Sequence, residues 1–475
     1  MKTFVYRFFV ALSLMLVITG EVYAAKASGV AYVSSSTGND GSDGRSMTSP
    51  LKSISKAVSI ADTLYLKAGD TFYGAVDFKT KVVDRYGKGA DPVICGFRYI
   101  VRPNWEKVGE NLWHISLKDD CYEGVDDSSN SRVNNVGCIY DCKADVVYGC
   151  KLQEKDKLAE DWDYWQTSSF ATSEVNDSTF NELFLYLSKD PNDMQLAFSS
   201  GTSGVKLNNG SLSNVKIMGF GIHGITGGSK ATVRNCTIDV IGGSIQVGYS
   251  KYTRLGNGIE FYVSSNITGS LVEGCTISRC YDCGVTIQGS GKEQAKPSDI
   301  TIRRNYIHDC CQGWEDFLRN GETDLFENCV LSENLLVDNG SKVAFGYGDG
   351  RFKYCQVLGN NTMGVRGMII RENVFINGNY YCSGLYNKEY KSNVWEGNVC
   401  YIQRGQFILS NYTGTKDVIR IPTESGDFAS LDEATADAIS RYRKLTGDET
   451  TEFVIIEAKD KEGLVKKFKK EMLGK

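Results

Sequence analysis

A short motif recurs six times between residues 208 and 401, and its uneven spacing constrains the fold more than any other feature of the sequence. Each copy has an apolar residue, an Asn or Cys three positions later, and then a second apolar residue. The copies occupy residues 233–238, 272–277, 302–307, 326–331, 370–375 and 395–400, and their Asn or Cys markers lie between 24 and 44 residues apart. Each copy shows the period-two alternation of short strands and is bounded by Gly, Asn, Asp or Ser.

Unequal repeats exclude a helical solenoid, because a two-helix unit fixes the repeat length. They favour a β-solenoid, in which the strands of each coil stay in register while the loops vary in length. Asn at the same place in successive coils would bond along the stack through its amide. A β-sandwich does not repeat one inward-facing position six times. The sequence therefore predicts an all-β fold, a parallel β-helix.

The same rungs, together with an opening formed by residues 32–40, 49–58 and 64–70, resemble the pectin lyase-like superfamily. The resemblance covers most of residues 30–410 and implies a right-handed parallel β-helix. It does not fix an activity, because this superfamily includes lyases, hydrolases, esterases and non-catalytic adhesins.

The N-terminal residues have the pattern of an export signal. Lys2 and Arg7 precede an apolar run, and Val22, Tyr23 and Ala24 fit the small-residue cleavage pattern. We therefore expect a signal peptide at 1–24 and a secreted protein, periplasmic or extracellular. No later stretch is apolar enough to span a bilayer, so no stable membrane insertion is expected after cleavage.

Four further regions follow the predicted signal. Residues 25–100 are expected to form an N-terminal cap with the first coils, where Ser49 would cap a helix that has Pro50 in its first turn. Residues 101–200 break the repeat and are expected to form a β-rich, aromatic insertion with a hairpin about Gly109, Glu110 and Asn111. The β-helix proper is expected over 201–425. Residues 426–475 would form an α/β cap, with a capping box at Ser430 and a last helix near 464–473.

The composition of the chain limits the kinds of molecule that the protein is expected to bind. Lys and Arg number 53 against 58 Asp and Glu, which gives a net charge of −5, and a mildly acidic chain without a basic block is a poor candidate for binding nucleic acid. The 15 Cys are odd in number and follow no disulfide framework, so we expect mostly free, buried thiols at inward positions. The single Cys280-x-x-Cys283 is weak as a metal motif, and no metal is predicted from it. The chain is expected to be a monomer that acts on a polysaccharide, with no cofactor.

A column of acidic residues is the feature most like an active site. Aligning the second strand of each coil by its Gly-x-x pattern puts Glu260 and Glu315 in one column, two coils apart, which separates their backbones by about 9.6 Å. Asp282 lies on the intervening coil, and Asp316 should point to the opposite face from Glu315. Paired carboxyls are what a glycoside hydrolase needs as general acid and as base or nucleophile. Glu260, Asp282 and Glu315 are therefore the predicted catalytic residues.

Two alternatives stay open at this point. A polysaccharide lyase would need a base and cations beside a uronate, with Ca²⁺ as a cofactor in that case, and the superfamily resemblance implies Lys or Arg as the base. The candidate arginines are Arg254, Arg303, Arg304, Arg319 and Arg351. A non-catalytic glycan-binding or surface structural protein would instead expose its acids without perturbing their pKa values. The predicted substrate contacts are Arg254, Arg319, His308 and Trp314, although strand alternation assigns Trp314 equally well to the core or the rim.

Overall fold

The computed structural model describes a large part of the 475-residue chain. The described residues are 29–118, 121–125, 131–166, 180–247, 253–264, 266–289, 295–318, 324–340, 355–359, 367–378, 381–383, 393–411 and 418–474. The predicted signal peptide lies outside them.

Three ten-stranded sheets, numbered 1 to 3 here, wind the chain into successive coils. Sheet 1 contains Val30–Val33, Thr63–Lys67, Val82–Tyr86, Ser211–Ser213, Thr232–Arg234, Leu271–Glu273, Thr301–Arg303, Val330–Ser332, Ile369–Arg371 and Val394–Glu396. Sheet 2 contains Thr71–Tyr73, Val93–Cys95, Lys216–Met218, Thr237–Ile241, Thr276–Cys280, Tyr306–His308, Leu335–Val337, Val374–Ile376, Val399–Ile402 and Glu452–Ile455. Sheet 3 contains Val76–Asp77, Val205–Leu207, Ile225–Gly227, Ile259–Val263, Cys283–Gly289, Gln312–Phe317, Cys355–Gly359, Tyr381–Ser383, Phe407–Asn411 and Ile419–Arg420.

Neighbouring strands in these sheets are parallel, except for the last pair of sheet 3. The apolar side chains that point inward from all three sheets form one continuous core, which includes Val272, Ile277 and Val285 on a single coil. Parallel strands that bury their inward side chains on three sides of a common interior define a parallel β-helix, so the predicted fold is confirmed.

An asparagine ladder joins sheets 1 and 2 at one corner of the coil. The amide oxygens of Asn334, Asn373 and Asn398 each accept the backbone N–H of the preceding asparagine at 3.0 Å. The same oxygens accept that residue's side-chain N–H at 2.9–3.0 Å. The ladder begins at Asn305, whose oxygen accepts the N–H of Cys275. These bonds satisfy the polar groups of a corner that water does not reach, since all four asparagines are fully buried.

The ladder corrects one of the six predicted rungs. Leu331 pairs with Ile302 in sheet 1, and Leu336 pairs with Ile307 in sheet 2, so the marker of this coil is Asn334. Cys329 lies five residues earlier, ahead of the sheet 1 strand. The spacing along the ladder from Cys275 onward is accordingly 30, 29, 39 and 25 residues. Residues 326–331 fit the sequence motif. The strand pairing in sheets 1 and 2, however, favours the rung that runs from Leu331 to Leu336.

Helices close the two ends of the coil. Helix α1, Ile54–Ile60, starts later than expected, because the hydroxyl of Ser53 rather than Ser49 caps it and Leu51 bridges to Val33 in an extended conformation. At the other end, helix α2 spans Leu431–Thr446 and helix α3 spans Lys461–Leu473. The expected cap at Ser430 and the stop at Gly447, which has φ 73°, are both confirmed. None of the helices in the described ranges is long and apolar enough to cross a bilayer.

A two-sheet insertion interrupts the early coils. Its first sheet consists of Phe97–Ile100, Tyr122–Gly124, Ile139–Asp141, Val146–Tyr148 and Leu196–Ser199. Its second sheet consists of Glu106–Gly109, Leu112–Ser116, Cys150–Lys151, Asp163–Trp165 and Glu182–Tyr186. The predicted hairpin is present, with Asn111 at φ 56° in its turn. A core of its own, which includes Trp113, Tyr164 and Phe198, fills the insertion.

The cysteines whose side chains the structure describes are free thiols, as the sequence predicts. Cys236 and Cys275 occupy the marker position in the two coils before the asparagines begin, and both are buried. Burial raises the pKa of the Cys236 thiol well above its ordinary value, with Cys275 adding to the shift, so the thiol stays neutral. Cys therefore fills this corner as a small apolar residue.

Candidate functional site

The outward face of sheet 3 brings two of the three predicted carboxylates into one column. Glu260 pairs with Thr286, and Thr286 pairs with Glu315, so the two acids lie two coils apart as the alignment predicts. Their neighbours Ile259 and Phe261 point into the core, which fixes the outward direction of Glu260 by strand alternation. The parallel pairing thus determines which side chains share this surface.

The carboxylate of Glu260 is contacted by three side chains from three successive coils. It is only 6% exposed. Nε2 of His223 lies 3.2 Å from its Oε2, and the side-chain amide of Asn257 donates to its Oε1 at 3.3 Å. Gln288 also donates to Oε1. Donors on both oxygens are the arrangement that an ionised carboxylate needs when it is withdrawn from water.

Glu315 has the opposite environment. It is 7% exposed, and the Thr286 hydroxyl donates a hydrogen bond of 3.2 Å to its Oε2. Burial raises the pKa of Glu315 well above its ordinary value, and the charges of Asp282, Asp316 and Glu260 raise it further against the opposing bond from Thr286. The Glu315 carboxyl therefore keeps its proton where an ordinary glutamate has lost it.

Asp282 lies beside this column at the start of the middle coil. Its backbone N–H donates to Gly256 and its carbonyl accepts from Gln312, which fixes it at the turn leading into sheet 3. The side chain is partly exposed, and its charge is the largest charged contribution to the raised pKa of Glu315. All three predicted acids thus belong to one electrostatically connected group.

A second outward column runs parallel to the first, two residues further along each strand. It consists of Tyr262, Gln288 and Phe317, which pair across three successive coils. Tyr262 is 42% exposed and shares the face of Glu260. The site therefore offers an open aromatic ring about 7 Å along the strand from its carboxylate column.

The strand that carries Glu315 also sends polar groups inward. Trp314 and Asp316 flank Glu315, and both are buried, at 0% and 2% exposure. Trp314 belongs to the interior core, so a substrate on the outer surface cannot reach its ring, and the predicted substrate contact is corrected to a core residue. Asp316 faces the same interior, as alternation predicts, and burial raises its pKa to about 7.

The other predicted substrate contacts do not join this face. Arg254 is 2% exposed and donates to the carbonyls of Gly243, at 2.6 Å, and of Gly137, at 2.9 Å. These bonds tie the insertion to the coil and leave its guanidinium enclosed. His308 lies on sheet 2, where its Nδ1 is 2.7 Å from the Asp309 carboxylate and its ring stacks on Tyr306. Arg319 lies outside the described residues.

The arginines considered for a lyase are also occupied elsewhere. Arg303 pairs with Glu273 at 2.7 Å on sheet 1, and Arg304 pairs with Glu333 at 2.8 Å at the corner between sheets 1 and 2. Arg351 lies outside the described residues. Within the described ranges, no group of three His, Cys, Asp or Glu side chains is placed to hold a metal ion.

Sequence reasoning missed the residues that surround the acids. His223, Asn257 and Gln288 all bond to Glu260, yet they come from three different coils and share no local motif. The pairing of strands between coils is what shows that they lie close together. The position of Gln288 can be predicted from the sequence, because Gln288 lies two residues after Thr286 on a strand that the Gly-x-x alignment includes.

Comparison with known proteins assigns no family. No family model matches the chain, and no curated protein resembles it significantly. Solved structures do resemble it. The complex of XylC with xylose has 12% identity and a TM-score of 0.45, covering 90% of this chain and 82% of the other. A structure described as a glycoside hydrolase has 9% identity and a TM-score of 0.38, covering 78% and 96%. A GH136 lacto-N-biosidase from Eubacterium ramulus has 12% identity and a TM-score of 0.36, covering 90% and 68%. At this level of similarity, none of them assigns a reaction to this chain.

Proposed function

We propose that this protein is a glycoside hydrolase that cleaves a polysaccharide on the outer face of sheet 3, with Glu315 as general acid and Glu260 as general base. One observation carries the proposal. Two buried carboxyl groups share an outward column two coils apart, and the pKa of one of them is raised by burial and by its acidic neighbours. Unlike protonation states in a shared site are the arrangement that acid–base cleavage of a glycoside requires.

Glu315 supplies the acid step. Its raised pKa keeps the carboxyl protonated to higher pH than an ordinary glutamate, so it can donate that proton to the glycosidic oxygen as the bond from the anomeric carbon to that oxygen breaks. Thr286 bonds to Oε2 and restricts rotation of the group. The charge of Asp282 opposes ionisation of Glu315 and so helps to keep the general acid protonated.

Glu260 supplies the base step. Three donors orient its oxygens, and an ionised carboxylate in this position can take a proton from a water molecule as that water adds to the anomeric carbon. The two backbones are two coil steps, about 9.6 Å, apart, which is nearer to the carboxyl separation of about 6.5–9.5 Å that leaves room for such a water than to the separation of about 5 Å that retention uses. Inversion at the anomeric carbon is therefore the expected outcome.

Tyr262 provides the surface on which a sugar ring would rest. Aromatic rings present a broad apolar face to the C–H groups of a pyranose, while hydroxyl groups at its rim find hydrogen-bond partners. Gln288 lies between Tyr262 and Phe317 in the pairing and adds an amide to this surface. The polysaccharide would run along the coil axis, across successive strands.

The two alternatives receive less support. A lyase needs a basic group beside the sugar, and the described candidate arginines are bound to other partners away from this face. A surface that only binds glycans gains nothing from burying two carboxyl groups, because withdrawing polar groups from water is costly.

The proposal is tested with a panel of polysaccharides, measuring new reducing ends and the ultraviolet absorbance of unsaturated uronides in parallel. Hydrolysis raises reducing ends alone, whereas elimination raises both signals. Glu260→Gln and Glu315→Gln should each lower kcat by about 100-fold or more, because each removes one proton-transfer group without changing its size.

Glu396→Gln is the matched control, since Glu396 is exposed on sheet 1. Its activity should equal that of the unmodified protein. An absence of cleavage across the panel, or full activity in both site variants, would contradict the proposal.

A further inference from the structure

We infer that His223 is a positioning residue for Glu260: as a neutral imidazole with its proton on Nε2, it holds the carboxylate in the orientation that the base step needs. The inference rests on the proposed function, but the contact itself can be tested without any substrate.

The position of His223 selects its tautomer. The residue lies just before the strand Ile225–Gly227, one coil before Glu260, and it is 8% exposed. The backbone N–H of Asn257 donates to its Nδ1 at 3.2 Å, so Nδ1 must be the unprotonated nitrogen. The proton then resides on Nε2, whose nitrogen lies 3.2 Å from Oε2 of Glu260, within ion-pair distance.

The same geometry keeps the ring neutral. A proton added at Nδ1 would face the Asn257 N–H and replace a hydrogen bond with a repulsive contact between two donors. Burial lowers the pKa of His223, while the charge of Glu260 acts in the opposite direction. Glu260 is the charged group within ion-pair distance of the ring in the described part of the chain.

Asn257 connects this pair to the rest of the site. It is 1% exposed, and besides bonding to His223 through its backbone it donates from its amide to Oε1 of Glu260. Its amide oxygen accepts the backbone N–H of Cys283 on the next coil at 3.2 Å. His223 and Asn257 therefore fix one carboxylate oxygen each, and the base cannot rotate without breaking bonds to two coils.

The first experiment uses the small number of histidines. The chain contains three, so the imidazole nitrogen signals of His114, His223 and His308 can be resolved after labelling histidine alone with ¹⁵N. We expect His223 to show the Nε2–H form with Nδ1 unprotonated. Glu260→Gln should lower the pKa of His223 further, because it removes the charge that raises it.

His114 offers a matched control, since its Nε2 lies 2.6 Å from Glu182 in the insertion. Glu182→Gln should change the imidazole nitrogen signals of His114 and leave those of His223 unchanged. A His223 ring protonated on Nδ1, or a His223 titration that ignores Glu260→Gln, would overturn the inference.

The second experiment separates positioning from simple packing. His223→Leu keeps the bulk but removes the donor, and it should lower kcat by about 100-fold with little change in KM. His223→Gln restores an N–H where Nε2 lies, so it should recover at least tenfold of that loss. His308→Gln, on sheet 2, should leave kcat unchanged.

The outcomes keep the two proposals apart. If Glu260→Gln and Glu315→Gln abolish hydrolysis while His223→Leu keeps full kcat, the proposed function stands and the positioning role is wrong. Equal losses in His223→Leu and His223→Gln would likewise contradict it. If the unmodified protein cleaves nothing, the proposed function fails, and the nitrogen signals alone decide whether His223 orients Glu260.

Discussion

Glu315 and Asp316 are adjacent in the chain, yet a strand sends one carboxyl to the outer face and the other into the apolar interior. Oδ1 of Asp316 is buried and has no hydrogen-bond partner among the described residues, so the charged form would be poorly compensated there. Burial raises the pKa of Asp316 to about 7, whereas an unfolded chain ionises this residue near 3.8. The positions of Glu315 and Asp316 on the strand thus give their two carboxyl groups different surroundings and different chemical properties.

Asp316 makes the stability of the fold depend on pH. The folded state holds the proton up to about pH 7 while the unfolded state releases it near pH 3.8, so stability falls as pH rises between those values. Asp316→Asn should therefore stabilise the protein at pH 8 relative to pH 4, by an amount on the order of 4 kcal/mol. Urea unfolding of both proteins across pH 4–8 measures the difference. A constant difference, or one equal to that of exposed Asp77→Asn, would refute the expectation.

Asp282 is expected to set the alkaline limit of activity. Its charge helps raise the pKa of Glu315, so Asp282→Asn should lower that pKa and move the alkaline limb of kcat/KM to lower pH. The rate at acidic pH should change less, because Glu315 stays protonated there in both proteins. A pH–rate profile of the two proteins provides the measurement, and an unshifted alkaline limb would exclude this role.

The acidic column was predictable at this scale, whereas its surroundings were not. Glu260 and Glu315 follow the same Gly-x-x pattern on their strands, so local sequence was enough to align them. The sequence does not show whether Trp314 points into the core or outward. Strand alternation identifies the inward-facing residues only once the orientation of one residue of the strand is known. His223 could not be found because a single histidine carries no pattern.

At the scale of elements, the asparagine ladder determines where one strand ends and the next begins. The residue before each marker adopts a left-handed conformation, with φ between 50° and 67° at Asn235, Gly274, Arg304, Glu333 and Glu372. Such a conformation is unfavourable for residues with a side chain such as Arg or Glu. The buried amide bonds offset this strain where the ladder asparagine follows a non-glycine residue, at Asn305, Asn334 and Asn373.

Asn334→Ala should reveal the contribution of one ladder step. Its side chain accepts from Asn305 and donates to Ile302 and Asn373, all within the dry corner. Removing it leaves several buried groups without partners, and we expect a loss of about 2–4 kcal/mol of unfolding free energy. Cys275→Ala at the equivalent position should cost about 1 kcal/mol, mainly through lost apolar contact. Equal losses in chemical denaturation would contradict the assigned role of the ladder.

The error at Cys329 shows the limit of motif reading. Both candidate frames offered an apolar residue followed by a small marker, and only pairing with Ile302 and Ile307 distinguishes them. Helix α1 shows a similar limit, since Ser49 and Ser53 are equally good caps by composition. Long-range pairing decided both cases, and a single sequence does not contain it.

At the scale of the whole molecule, the side chains of two arginines help to attach the insertion to the coil. Arg254 joins Gly137 to Gly243 through its guanidinium. On the neighbouring surface, Arg279 bonds to Asp239 of the coil and to Asp145 of the insertion. Both contacts lie between the insertion and the strands that lead to the candidate site.

Arg254→Met should loosen this attachment and leave the coil intact. The carbonyls it bonds would lose their partner, so hydrogen exchange should accelerate in Ile139–Asp141 and stay unchanged in Val330–Ser332. Truncating a buried, hydrogen-bonded charge costs about 2–5 kcal/mol, so the expected acceleration is large. If Arg254 instead contacts substrate, KM would change while exchange in both strands stays the same.

The pairing of Glu260 through Thr286 to Glu315 also has a geometric consequence for the evolution of proteins built this way. Distances along the coil axis change only in whole steps of about 4.8 Å. For the proposed hydrolase, two steps between the carboxyls correspond to inversion, and one step would approach the spacing of about 5 Å that retention uses. Exchanging the side chains at 286 and 315 would move an acid by one step along the axis. In this architecture, the number of coils between the two acids would therefore determine the stereochemistry of the reaction.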